Sequence, residues 1–200
     1  MSAVEFVVVL DRSGSMMAVR DDVRGGFDAL MAEQKKVPGS CFVSLYQFDD
    51  RYEPVYEGLE VGKVLPLKLE PRGTTALWDA IGKTLTTALQ RIKGKRKTVF
   101  VVATDGHENS SCEFTAANVK ALLEQAKDRG WECLFIGANQ DAILAGGALG
   151  FSAGQSLSTQ STPDATRAVY QVLSRNLAGY RSGATANMTW SDDDRSLAGG

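Results

Sequence analysis

Asp11-Arg12-Ser13-Gly14-Ser15 follows directly on the apolar run Phe6-Val7-Val8-Val9-Leu10. One carboxylate and two hydroxyls stand at alternate positions, and residues i, i+2 and i+4 of an extended segment share a face. Their oxygens can converge on one point where the chain leaves its strand. A hard divalent cation such as Mg²⁺ takes oxygen ligands of this kind. Each group also has a plainer use, because Ser and Asp are favoured N-caps and Ser13 and Ser15 suit the start of a following helix.

The elements that must hold this turn are legible around it. Continuous apolar runs alternate with amphipathic stretches, the pattern of a mostly parallel sheet covered by helices on both faces. The first strand is expected over about 4–10 and a helix over about 17–36, with Val19, Val23, Phe27, Leu30 and Met31 at helical spacing before Pro38-Gly39. A second strand, about 41–48, turns through Asp49-Asp50 into Tyr52-Glu53-Pro54-Val55-Tyr56. So short a connection permits only an antiparallel hairpin, and Pro54 marks its second arm as an edge strand. Residues 60–71 read as a loop with a short strand at Val64–Leu69.

A second helix is expected over about 75–93, a strand over about 98–104, and a helix over about 115–129 ending at Arg129-Gly130. Another strand at Cys133–Gly137 leads to a helix near 140–149, and a polar stretch has room for a short sixth strand. Pro163 opens the last helix, about 163–180. The expected fold is therefore α/β and doubly wound, a mostly parallel central sheet with one antiparallel edge strand and helices on both faces. One domain should span about 1–182, and the Gly-, Ala-, Ser- and Asp-rich residues 183–200 should be loosely held. Trp190 lies in that tail, as a docking peptide or, preferred here, folded back on the domain.

Two further segments complete a pattern. Gly73-Thr74-Thr75-Ala76-Leu77-Trp78-Asp79-Ala80-Ile81 opens the second helix, and Val99-Phe100-Val101-Val102-Ala103-Thr104-Asp105-Gly106 ends a strand on an aspartate. With Asp11-x-Ser13-x-Ser15, their order and spacing resemble the von Willebrand factor type A (VWA, or integrin I-like) domain and its metal-ion-dependent adhesion site, in the intracellular type found in bacteria and phages. The resemblance covers roughly residues 3–150. It implies a Rossmann-like sheet in which the first and fourth strands are neighbours. It also implies a site for Mg²⁺ or Mn²⁺ built from Asp11, Ser13, Ser15, Thr75 and Asp105. The hydroxyls would coordinate directly and the carboxylates directly or through water, leaving one position for an acidic residue of a partner protein. Alignment favours Thr75 over Thr74 and leaves Asp79 as a supporting group.

Composition narrows the alternatives. Net charge is 22 − 24 = −2, with 44% apolar and 23% charged residues, so nothing calls for nucleic acid or an anionic membrane. The basic run Lys93, Lys95, Arg96, Lys97 sits between a helix and a strand and reads as a solvated loop. Three cysteines, Cys41, Cys112 and Cys133, make no disulfide framework or zinc spacing, and the N-terminus lacks a leader pattern. A cytoplasmic protein is the expectation.

Its role would be to grip a partner's exposed Asp or Glu, within a larger assembly or beside an AAA+ ATPase as in some relatives. Arg12 would steer that partner, His107 reads as a solvated loop residue with a rim contact to the partner as the alternative, and Asn139, Gln140 and Asp141 would line the same face. The alternatives are a Mg²⁺-dependent phosphohydrolase and a structural scaffold with a stabilising metal. Aspartate-nucleophile hydrolases need a second carboxylate two residues after the first, where this chain has Ser13. Gly58–Val64 lacks Walker A spacing, and no Gly-x-Ser-x-Gly elbow occurs. No enzymatic activity is expected.

Overall fold

The computed structural model describes residues 3–94, 96–139 and 141–199. Gln140 and Lys95 lie outside them. Six strands form one sheet in the order β3-β2-β1-β4-β5-β6. They are β1 (Val4–Asp11), β2 (Cys41–Phe48), β3 (Tyr52–Glu60), β4 (Lys97–Thr104), β5 (Glu132–Ala138) and β6 (Ser156–Thr159). All neighbours are parallel except β2 and β3, which form the expected antiparallel hairpin with Pro54 on the free edge. Every residue of β1 is buried. That is why it reads as an unbroken apolar run: Phe6, Val8 and Leu10 enter one core, Val7 and Val9 the other.

On the first face lie α1 (Arg20–Lys36) and α5 (Pro163–Ser182), and on the second α2 (Leu77–Arg91), α3 (Ala116–Asp128) and α4 (Ala142–Leu149). Two glycines set how closely these layers approach. A Cβ on Gly26 of α1 would run into the Tyr170 ring of α5, and one on Gly82 of α2 into the Phe114 ring.

Three expectations are corrected. The chain after Ser13 makes a 3-10 turn, Gly14–Val19, before α1 begins. Val64–Leu69 is not a strand. Its apolar side chains Val64, Leu67 and Leu69 are buried, but its backbone is bonded by side chains. Asp28 accepts from Leu67 N–H, while Arg24, Lys35 and Gln47 donate to carbonyls of Leu67, Val64 and Lys68. With those groups already satisfied, no sheet pairing is needed.

The third correction concerns the tail, which is packed rather than loose. Met188, Trp190 and Ala198 are buried in the first core. A short helix, α6 (Asp192–Leu197), starts at Ser191 with a capping box closed by Asp194. Arg195 donates to carbonyls of Ser156 and Ala153, and Thr159 Oγ1 to that of Ala198, so the tail covers β6. Trp190 folds back, the alternative preferred from the sequence.

Candidate metal centre

β1 and β4 run side by side with Leu10 opposite Ala103, so Asp11 and Thr104 emerge together at the carboxyl edge of the sheet. Ligands of open α/β sheets bind outside this edge. Asp11 is fully buried. Its Oδ1 accepts from Ser13 N–H at 2.6 Å and its Oδ2 from Thr104 Oγ1 at 2.6 Å. The Ser13 and Ser15 hydroxyls are 3.2 Å apart, and Ser15 Oγ donates to Asp105 Oδ1 at 2.6 Å.

Thr75 faces the same turn: a Cβ on Gly106 would stand 2.9 Å from its Oγ1. Thr75 is buried and Thr74 exposed. The five residues named from the sequence thus come together from three segments.

Their electrostatics distinguish the two aspartates. Burial pushes the Asp11 carboxyl up to about 6, against the lowering effect of the Thr104 and Ser13 hydrogen bonds. Burial also raises Asp105, which is only partly offset by Ser15. Burial acts in the same direction on Asp49, Asp79 and Asp194, yet hydrogen bonds and positive charges leave each below the usual carboxylate range. Burial thus raises both Asp11 and Asp105, and among the described residues no cation pairs with either. Two such carboxylates beside three neutral hydroxyls suit a hard divalent ion.

The segments are stitched together by groups the sequence did not single out. Arg72 N–H donates to Arg12 O, and Gly14 N–H to Gly73 O. Asn109 clasps Thr75, its Oδ1 accepting Thr75 N–H at 2.9 Å while its own N–H donates to Thr75 O at 3.1 Å. Helix α2 has Ala76 at its N-cap and so no side-chain cap of its own. Glu108 and Ser111 accept from Trp78 and Asp79 N–H instead. These caps arrive from 30 and 32 residues away, so no local sequence signal marks them.

Several peripheral roles need correction. Arg12 cannot steer a partner, because it is 6% exposed and paired with Asp49 and Glu53. His107 is exposed beside the site. Asn139 accepts from Ser161 N–H, and Asp141 caps α4, so both do local work.

Asp79 supports the loop rather than the ion, accepting backbone N–H groups of Cys112, Glu113 and Phe114. Asp79, Cys112 and Glu113 also lie within 4.8 Å of one another, close enough to share a metal. Both Asp79 oxygens are nevertheless already engaged, and Glu113 pairs with Lys83.

The family model for the von Willebrand factor type A domain matches residues 5–146. The chain belongs to that family. VWA domains commonly bind a divalent metal and typically mediate contacts between proteins. The same fold recurs in solved structures. Proximal thread matrix protein 1 of the mussel byssus superposes with a TM-score of 0.62 at 16% identity, covering 88% of this chain and 46% of that one. The ArnB paralog VWA2 from Sulfolobus acidocaldarius gives 0.58 at 20% identity, over 89% and 45%. The pilus adhesin SpaC from Lactobacillus rhamnosus GG, in an open conformation, gives 0.70 at 16% identity, over 89% and 30%.

This VWA chain spans less than half the length of each of these proteins. No curated protein sequence matches it. Among the described residues, no helix is long and apolar enough to cross a membrane.

Proposed function

We propose that this VWA domain is a protein-binding module, not an enzyme, that works in the cytoplasm. Mg²⁺ (or Mn²⁺) would be held by Asp11, Ser13, Ser15, Thr75 and Asp105. The observation that carries this reading is the pair of desolvated carboxylates facing three hydroxyls at one sheet edge. The ion, when bound, supplies a positive centre with a coordination position left for a carboxylate from outside. Ser13, Ser15 and Thr75 bring oxygen without charge, so two carboxylates at most neutralise the ion and its attraction for a third is retained. The partner therefore presents an exposed Asp or Glu.

Calorimetric titration of EDTA-stripped protein with Mg²⁺ and Mn²⁺, alone and with excess acetate as a carboxylate probe, tests the reading. One-to-one binding is expected. Ser13→Ala and Thr75→Ala should each weaken it by more than about tenfold, the scale on which even the outer partners of metal ligands act. A folded wild-type chain that takes up neither ion under either condition overturns the proposal. Metal-dependent turnover of a phosphoester that is lost in the same variants would replace it with an enzyme.

A further inference from the structure

Arg12 is a buried guanidinium at the centre of a segment read here as holding another cation. Its Nε meets Asp49 Oδ2 at 2.9 Å, and its Nη1 meets Glu53. Asp49 directly follows β2 and is fully buried. The same Oδ2 accepts from Arg72 Nε at 2.8 Å, and Oδ1 accepts from Arg51 N–H at 2.6 Å. Its carbonyl accepts from Ala76 N–H at 2.9 Å, one residue beyond Thr75. One residue thereby touches the segment carrying Ser13 and Ser15 through Arg12. It touches the segment carrying Thr75 through both Arg72 and Ala76.

We propose that Asp49 is the positioning residue of the metal centre, spacing the serine pair from Thr75 and neutralising Arg12 so that a second cation can settle beside it. This rests on the reading of Asp11, Ser13, Ser15, Thr75 and Asp105 as the ion's ligands. Among the described residues Asp49 makes no hydrogen bond to any of the five side chains. It acts through Arg12, Arg72 and the backbone of Ala76. A site spaced in this way favours a small ion, since Mg²⁺ needs near-octahedral geometry whereas Ca²⁺ tolerates a looser shell.

The test compares Mg²⁺ and Ca²⁺ affinities of the wild-type chain, Asp49→Asn and Arg72→Gln by calorimetry, with melting temperature measured beside them. Asp49→Asn should weaken Mg²⁺ binding by about 10- to 100-fold and Ca²⁺ binding much less, so that the preference for Mg²⁺ narrows. Arg72→Gln, at a half-exposed side chain, should move the preference in the same direction with an unchanged melting temperature. It carries the test alone if Asp49→Asn does not fold.

Folded variants whose two affinities are unchanged, or fall by one common factor, overturn the positioning role. In that outcome wild-type Mg²⁺ binding leaves the ligand assignment standing. A wild-type chain that binds no Mg²⁺ overturns the assignment and the positioning role together.

Discussion

Asp11→Asn should make the metal-free protein more stable at neutral pH while removing its response to Mg²⁺. The Asp11 carboxyl is fully buried and raised by desolvation from 3.8 to about 6. The folded chain therefore binds this proton more tightly than the unfolded chain does. The residue's contribution to stability is fully present below about pH 4 and is lost as pH rises through about 6. Asparagine stays neutral throughout. The gap between variant and wild type should open across that interval and level off at roughly 3 kcal/mol. For a chain of this length that corresponds to roughly 6–12 °C in melting temperature.

Local bonding accommodates the change. The amide oxygen can still accept from Ser13 N–H, and the Thr104 hydroxyl, once it no longer donates to residue 11, has Gly106 O as an alternative acceptor 3.1 Å away. Taking the difference between the two proteins cancels Asp49, Asp79 and Asp194, whose lowered carboxyls act in the opposite direction. Thermal melts in EDTA and in Mg²⁺, from pH 4 to 8, give the answer. An Asp11→Asn protein no more stable than wild type in EDTA at neutral pH would mean that the buried charge is already compensated, and the case for a waiting cation site would fail.

Trp190→Ala should cost about 3–5 kcal/mol, the usual toll for emptying a buried large aromatic site. Trp190 is 5% exposed in the same core as Leu173, Leu177 and Tyr180, and its backbone N–H donates to Gly154 O at 2.9 Å. Among the described residues its indole N–H has no partner, which pulls the figure toward the lower end. Urea unfolding followed by tryptophan-independent circular dichroism measures the loss. A cost below about 1 kcal/mol, the range of surface substitutions, would mean that the tail contributes nothing to the core. The larger value would make residues 188–198 part of the domain.

The parts of this fold that could be read from sequence are those whose burial is written in adjacent residues. β1, β4 and β5 are continuous apolar runs because they are covered on both faces, and α1 and α2 carry their apolar residues at helical spacing. The edge assignment of β3 followed from one proline and a connection too short for a crossover. β6 is less legible because Ser156-Leu157-Ser158-Thr159 has a strand's burial without a strand's composition. Pairing with β5 and cover from the tail bury it. The tail misled for a related reason, since its large buried apolar residues, Met188 and Trp190, stand among small and acidic ones.

At the candidate centre, each of the three segments announced itself at a strand end or helix start. The adjacency of β1 and β4 brings the Asp11 and Asp105 turns together, while Thr75 is held in place by Asn109 and by the Gly14–Gly73 and Ala76–Asp49 backbone contacts. What stayed hidden were the partners. Phe48-Asp49-Asp50 reads as any turn, and Arg12 reads as a solvent-facing cation until Asp49 and Glu53 are brought beside it from 37 and 41 residues away. Asn109 and Glu108 are equally silent, because the helix start they serve lies elsewhere in the chain.

Gly82 has a bearing on which substitutions this chain can tolerate. It lies inside α2, where alanine would raise helix propensity by roughly 1 kcal/mol. By propensity alone the exchange belongs among the safest in the protein. The missing methyl, however, is the space in which the Phe114 ring sits. Phe114 directly follows the two residues whose N–H groups, with its own, are gathered by Asp79. Displacing that ring pulls on the stretch from Asp105 to Thr115, which also carries the clasp on Thr75. Alanine at this position would therefore disturb a loop on the other side of an aromatic ring even as it favours the helix that carries it.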